Sequence, residues 1–107
     1  MKRISTLENS CRIETYDLTE EQHDLAVDMV KNNKRVGGTY TLKEVDADTL
    51  EYWIDDVVKE AETDKERRDY FNFLCEAQMC DCDVYTLTDR LGGFSQPIGE
   101  VAVYDCL

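Results

Sequence analysis

The sequence predicts one α+β domain, in which an antiparallel sheet of about four strands is backed by three helices in the order β-α-β-α-α-β-β. Its 107 residues match the usual size of a single domain, and 42% of them are hydrophobic, enough for one modest core. Apolar residues recur at helical spacing in the first half and the middle of the chain, whereas the last quarter is rich in Val, Tyr, Thr and Ile. No linker, repeat or low-complexity run divides residues 1–107.

The first half of the chain predicts two strands around one helix. Residues 1–10 are expected to be a frayed lead-in, and the rough alternation of residues 11–17 predicts an edge strand. Thr19, with a Gln three residues later, forms a capping box that starts a helix running to about residue 33. The segment 36–45 follows as an extended strand, with a glycine pair that permits a bend.

The second half predicts two helices and a hairpin. Asp48 is expected to cap the clearest helix, because apolar residues follow from Leu50 at spacings of three and four. A further capping box at residues 63–66 favours a separate third helix, the alternative being one long, bent helix. Residues 83–88 and 98–104 read as the strands of an antiparallel hairpin around a loop with two glycines and the single proline.

Acidic charge is concentrated in the middle of the chain. Nine acidic residues and one Lys lie between Glu44 and Asp64, so this stretch carries −8 of the formal charge of −12. On the second predicted helix the apolar stripe faces inward, which leaves the acids facing water. The first helix adds an i, i+4 acidic ridge without an interleaved Lys, which costs a few tenths of a kcal/mol per pair. We therefore predict a partner-binding role for Glu44, Asp46, Asp48, Glu51, Asp55, Asp56, Glu60, Glu62, Glu20, Asp24 and Asp28.

A concentrated negative surface disfavours direct contact with nucleic acid or anionic membrane and favours a basic protein surface. In size and composition alone the chain resembles the small acidic inhibitors and DNA mimics that phages and mobile elements direct against host nucleic-acid enzymes. No motif is shared, so no functional residue is carried over. The resemblance implies counter-defence in the host cytoplasm, through the basic surface of a nucleic-acid-handling protein. The alternative is a helix face kept acidic for solubility.

Cysteines supply a second hypothesis, a small metal or redox module. Cys75, Cys80 and Cys82 form a C-x4-C-x-C pattern, to which Cys106 could add a fourth thiolate, although structural zinc sites usually use C-x2-C pairs. The odd total of five Cys fits reduced thiols in a cytosol. No metal or other cofactor is expected on this pattern alone.

Catalytic motifs are absent from the sequence, so an enzyme of unknown reaction is the third hypothesis and a non-enzymatic role is preferred. The single histidine, His23, is expected to be an exposed polar residue in the first helical turn. There is no secretory signal pattern at the start and no apolar run of the roughly 18 residues that a membrane span needs.

Overall fold

A computed structural model describes residues 3–8, 10–91 and 93–105 of the chain. These residues form three helices and one six-stranded antiparallel sheet, with strand order β1-β2-β6-β5-β4-β3. The elements are β1 (Arg3–Glu8), β2 (Cys11–Tyr16), α1 (Glu20–Lys31), β3 (Val36–Gly37), β4 (Tyr40–Val45), α2 (Ala47–Ala61), α3 (Lys65–Met79), β5 (Asp83–Leu91) and β6 (Phe94–Asp105). The α+β class and the three helices are confirmed, whereas the expected four strands and their order are wrong in detail.

The additional strand at the start of the chain changes the position of its neighbour. Residues 3–8, expected to be frayed, pair with β2, which therefore lies inside the sheet between β1 and β6 rather than at an edge. Arg3 adds side-chain contacts to this pairing, because its guanidinium binds Glu14 on β2 and Glu76 on α3. Such contacts between distant residues leave no local pattern.

The remaining differences concern caps and turns. Asp46, and not Asp48, caps α2, because its carboxylate accepts a hydrogen bond of 2.7 Å from the backbone N–H of Thr49. Asp64 caps α3 in the place expected for the preceding Thr. The glycine pair turns the chain between β3 and β4, where Gly38 has a φ of +63° that glycine adopts without strain.

The C-terminal hairpin is longer than the sequence predicts. Much of the segment 90–97, expected to be a loop, continues β5 and β6, and its strands bracket a turn in which Gly93 has a φ of +88°. A register shift at Leu87 and Thr88 places Pro97 opposite Thr88. Proline is tolerated there because a bulge interrupts the regular ladder.

The helices cover both faces of the sheet. On β2, Thr15 contacts α1, whereas its neighbour Tyr16 contacts α3, and successive strand residues point to opposite faces. The core against α1 includes Ile13, Val27, Met29, Leu42, Leu87 and Val101. The core against α2 and α3 includes Leu50, Ile54, Phe73, Leu74, Val84 and Tyr104. Phe73 and Leu74 are fully buried, and each contributes roughly 2 kcal/mol by leaving water.

His23 is buried in the α1 layer, so the expectation of an exposed side chain is wrong. Only 2% of the residue is accessible, and its two ring nitrogens lie 2.7 Å from the Thr6 hydroxyl and 2.6 Å from the Thr15 hydroxyl. Burial lowers the pKa of His23, which favours the neutral ring. The imidazole thus ties α1 to both β1 and β2. None of the three helices in the described part of the chain combines the length and apolar character that crossing a bilayer requires.

Candidate functional site

The outer surface of α2 faces water because the apolar residues of its inner surface pack in the core, and most of the exposed residues are acidic. Leu50, Ile54 and Val57 are buried against the sheet and α3. Positions rotated away from this spine must face water in a helix of 3.6 residues per turn. Four exposed carboxylates occupy them, and we call them the α2 acidic face: Asp48, Glu51, Asp55 and Asp56.

The carboxylates of the α2 acidic face carry little internal compensation. Among the described residues, none of the four forms an ion pair with a Lys or Arg side chain. Lys59 is the cation on the same outer surface of α2. By contrast, Glu60 pairs with Arg67 at 2.9 Å, and hydrogen bonds from the side chain and the backbone N–H of Thr49 lower the pKa of Asp46.

An aromatic residue stands in the middle of the α2 acidic face. Tyr52 is 68% exposed, and it lies one helical turn from Asp48, Asp55 and Asp56. A large side chain in water has no packing role, whereas Tyr supplies contact area at an interface with few rotatable bonds to order. Helical spacing places Tyr52 opposite the buried spine, so its exposure could be read from the sequence.

The other predicted site residues are exposed but lie elsewhere. Glu62 is the C-cap of α2. Glu44 on β4 lies opposite Tyr85 on β5, and the Tyr85 side chain packs in the α1 layer. The ridge of α1 is exposed on the far side of the sheet from α2, since the two helices pack on opposite faces. The acids therefore form two separate surfaces rather than one, with Glu20, Asp24 and Asp28 on the second.

The cysteine pattern does not assemble a metal site in the described part of the chain. No group of three His, Cys, Asp or Glu side chains lies close enough there to hold a metal ion. Burial raises the pKa of Cys82 to about 12 and also raises the pKa of Cys75, so both thiols are poorly reactive at neutral pH. Cys80 is exposed, and Cys106 lies outside the described residues.

The fold and this surface together define a small α+β protein in which one exposed helix presents unpaired carboxylates around a tyrosine. Comparisons of the chain with protein-family models, with curated proteins and with solved structures found no match.

Proposed function

We propose that this protein is a small acidic protein-binding module, an inhibitor or DNA mimic of the phage or mobile-element type, that acts in the host cytoplasm. Its partner is the basic, nucleic-acid-binding surface of a host protein, which the α2 acidic face occupies. The observation that supports this proposal is the exposure of four carboxylates with no internal Lys or Arg partner in the described structure. A face used only for solubility has no need of an exposed aromatic residue at its centre.

The spacing of the carboxylates suits a surface that normally holds nucleic acid. Glu51 and Asp55 are one helical turn apart, about 6 Å along the axis at 1.5 Å per residue. This distance is comparable with the spacing of phosphates along a nucleic-acid strand. Lys and Arg side chains that are positioned to bind phosphates can therefore bind these carboxylates instead. The negative field speeds the encounter, and Tyr52 supplies a desolvated anchor once contact is made.

The proposal is tested by capture of nucleic-acid-binding proteins. A host lysate is first bound to a heparin column, and the salt-eluted fraction is passed over the immobilised protein. The wild type is compared with a variant that carries Asp55→Lys and Asp56→Lys. A matched control carries Glu21→Lys and Asp69→Lys, which make the same charge change at exposed positions outside α2.

The expected result is one captured protein that binds duplex nucleic acid when free and is displaced from the wild type by added duplex. Its capture should be lost with the α2 variant and kept with the control. Equal capture by all three proteins would show that overall charge, and not the α2 acidic face, is responsible. A captured protein that duplex cannot displace would contradict mimicry.

A further inference from the structure

A groove runs beside α2, between the N-terminal half of this helix and the uncovered ends of β4, β5 and β6. Its volume is about 410 Å³. Trp53 forms one wall, and the carboxylate of Glu100 borders it from β6. The polar lining is completed by Lys43, Glu44, Asp46, Thr49, Thr86, Thr88 and Ser95.

Glu100 is a carboxylate without an ion-pair partner in the described part of the chain. Its Oε1 accepts a hydrogen bond of 2.6 Å from the Tyr70 hydroxyl, and no described Lys or Arg forms an ion pair with it. The nearby guanidinium of Arg67 favours the ionised form of Glu100 from a distance, but it makes its ion pair with Glu60 and lies 5.3 Å from the centre of the Tyr70 ring. A second carboxylate, that of Asp17, lies close enough to disfavour ionisation of Glu100.

Keeping a charge at position 100 costs folding free energy. Burial raises the pKa of Glu100, and burial also raises the pKa of Asp17, so both carboxylates are less favourable here than in water. A Gln at position 100 would still accept a hydrogen bond from the Tyr70 hydroxyl, a weaker one than the carboxylate accepts, without the cost of burying a charge. Ionisable groups that are unfavourably buried beside a cleft are concentrated at functional sites. A ligand with a positive charge would therefore explain why a carboxylate stands at this position.

We propose that the groove binds a guanidinium group, the end of an arginine side chain, between the Trp53 indole and the Glu100 carboxylate. This inference rests on the proposed function, because a basic partner supplies the arginine. Guanidinium fits the lining better than a neutral polyol does, since it is planar, stacks on an indole face and pairs with a carboxylate through two parallel N–H donors. The hydroxyl groups of Thr49 and Thr86 can accept its remaining N–H groups.

The groove can be tested without knowledge of the partner. Trp53 is the only tryptophan of the chain, so its fluorescence reports directly on this wall. The probe is N-acetyl-arginine amide, and the comparison compound is N-acetyl-citrulline amide, which has nearly the same shape but no charge. The proteins are the wild type, Glu100→Gln, and Glu21→Gln as a matched control on the opposite side of the sheet.

We expect a saturable change in Trp53 emission with the arginine compound, at least tenfold weaker binding of the citrulline compound, and at least tenfold weaker arginine binding by Glu100→Gln. The Glu21→Gln protein should bind as the wild type does. Equal binding of both compounds, or no saturable response of the wild type, would overturn the proposal. Nitrogen-15 NMR of the wild type provides a test that is independent of the variants, with shifts expected at Trp53, Thr49 and Thr86 and not around Tyr52.

Failure of this inference is distinguishable from failure of the proposed function. If the arginine compound does not bind while heparin-fraction capture still depends on Asp55 and Asp56, the groove assignment alone is wrong. If the compound binds the groove of both the wild type and the Asp55→Lys, Asp56→Lys variant while nothing is captured, the groove stands and the proposed partner is wrong.

Discussion

Glu14 and Glu100 lie on adjacent strands and on the same α3-facing side of the sheet, yet their surroundings differ. Glu14 lies opposite Ala102, and Glu100 lies opposite Tyr16, so two register positions separate them. Two guanidinium groups flank Glu14: Arg3 at 2.7 Å and Arg12 at 3.2 Å. Glu100 receives only the hydroxyl of Tyr70.

The difference separates a structural carboxylate from one available for binding. Only 8% of the Glu14 side chain is exposed, and ion pairs with Arg3 and Arg12 compensate its charge. Because Arg3 also binds Glu76, these contacts join β1, β2 and α3. Glu100 borders an open groove and forms no ion pair with a described Lys or Arg, so Arg67 compensates its charge only from a distance. A buried charge without an ion-pair partner is costly, so Glu100 is the better candidate for function.

Removal of the Glu14 charge should have the largest effect on stability. Glu14→Gln leaves Arg3 and Arg12 facing a neutral amide, and we expect a loss of about 2 kcal/mol in the free energy of unfolding. The figure lies below that of a fully buried pair because the two Arg side chains are 30% and 37% exposed and partly solvated. Urea unfolding measures it, and an unchanged midpoint would show that the pairing is dispensable.

The same substitution at position 100 should act in the opposite direction. A carboxyl whose pKa is raised by folding binds protons more tightly when folded, so the fold loses stability as the pH rises through the interval between the unfolded and folded values. Glu100→Gln should therefore be more stable than the wild type at pH 7, by about 1 kcal/mol.

This advantage should shrink as the pH falls through 4.5, the ordinary pKa of Glu, because below that value the wild type is protonated in both the folded and the unfolded state. Urea midpoints of both proteins across this pH range provide the measurement. A Glu100→Gln protein less stable than the wild type at pH 7 would remove the distinction between the two carboxylates.

The two acidic helix faces offer a smaller contrast. Asp24→Lys with Asp28→Lys reverses the ridge of α1, which lies across the sheet from α2. We expect these changes to weaken binding of the captured partner only about threefold, through the long-range field that salt screens within about 10 Å. Surface plasmon resonance measures the affinity. A loss as large as that of the α2 variant would move the binding site to α1 or extend it around the molecule.

Sequence reasoning succeeded where structure follows from local spacing. The apolar spine from Leu50 and the capping box at Thr19 both depend on residues within a turn or two, and both helices are present. The sequence predicts the α2 cap at Asp48, two residues after the observed cap at Asp46. Both residues offer a carboxylate, and only the extended backbone at Asp46 distinguishes them.

What the sequence could not indicate depends on contacts between distant segments. Burial of His23 requires hydroxyls from Thr6 and Thr15, which stand on two different strands. Arg3 on β1 binds Glu76, which lies 73 residues away along the chain. Glu100 is one of many acids in the sequence, and only the meeting of β6 with α3 places Tyr70 beside it.

The salt dependence of partner binding tests the central claim most directly. The dissociation constant of the captured host protein should rise roughly a hundredfold between about 50 and about 500 mM salt, and the dependence should be shallower for a variant with Asp55→Asn and Asp56→Asn. An affinity that stays constant over this range, in the wild type and the variant alike, would contradict recognition through the exposed carboxylates of α2.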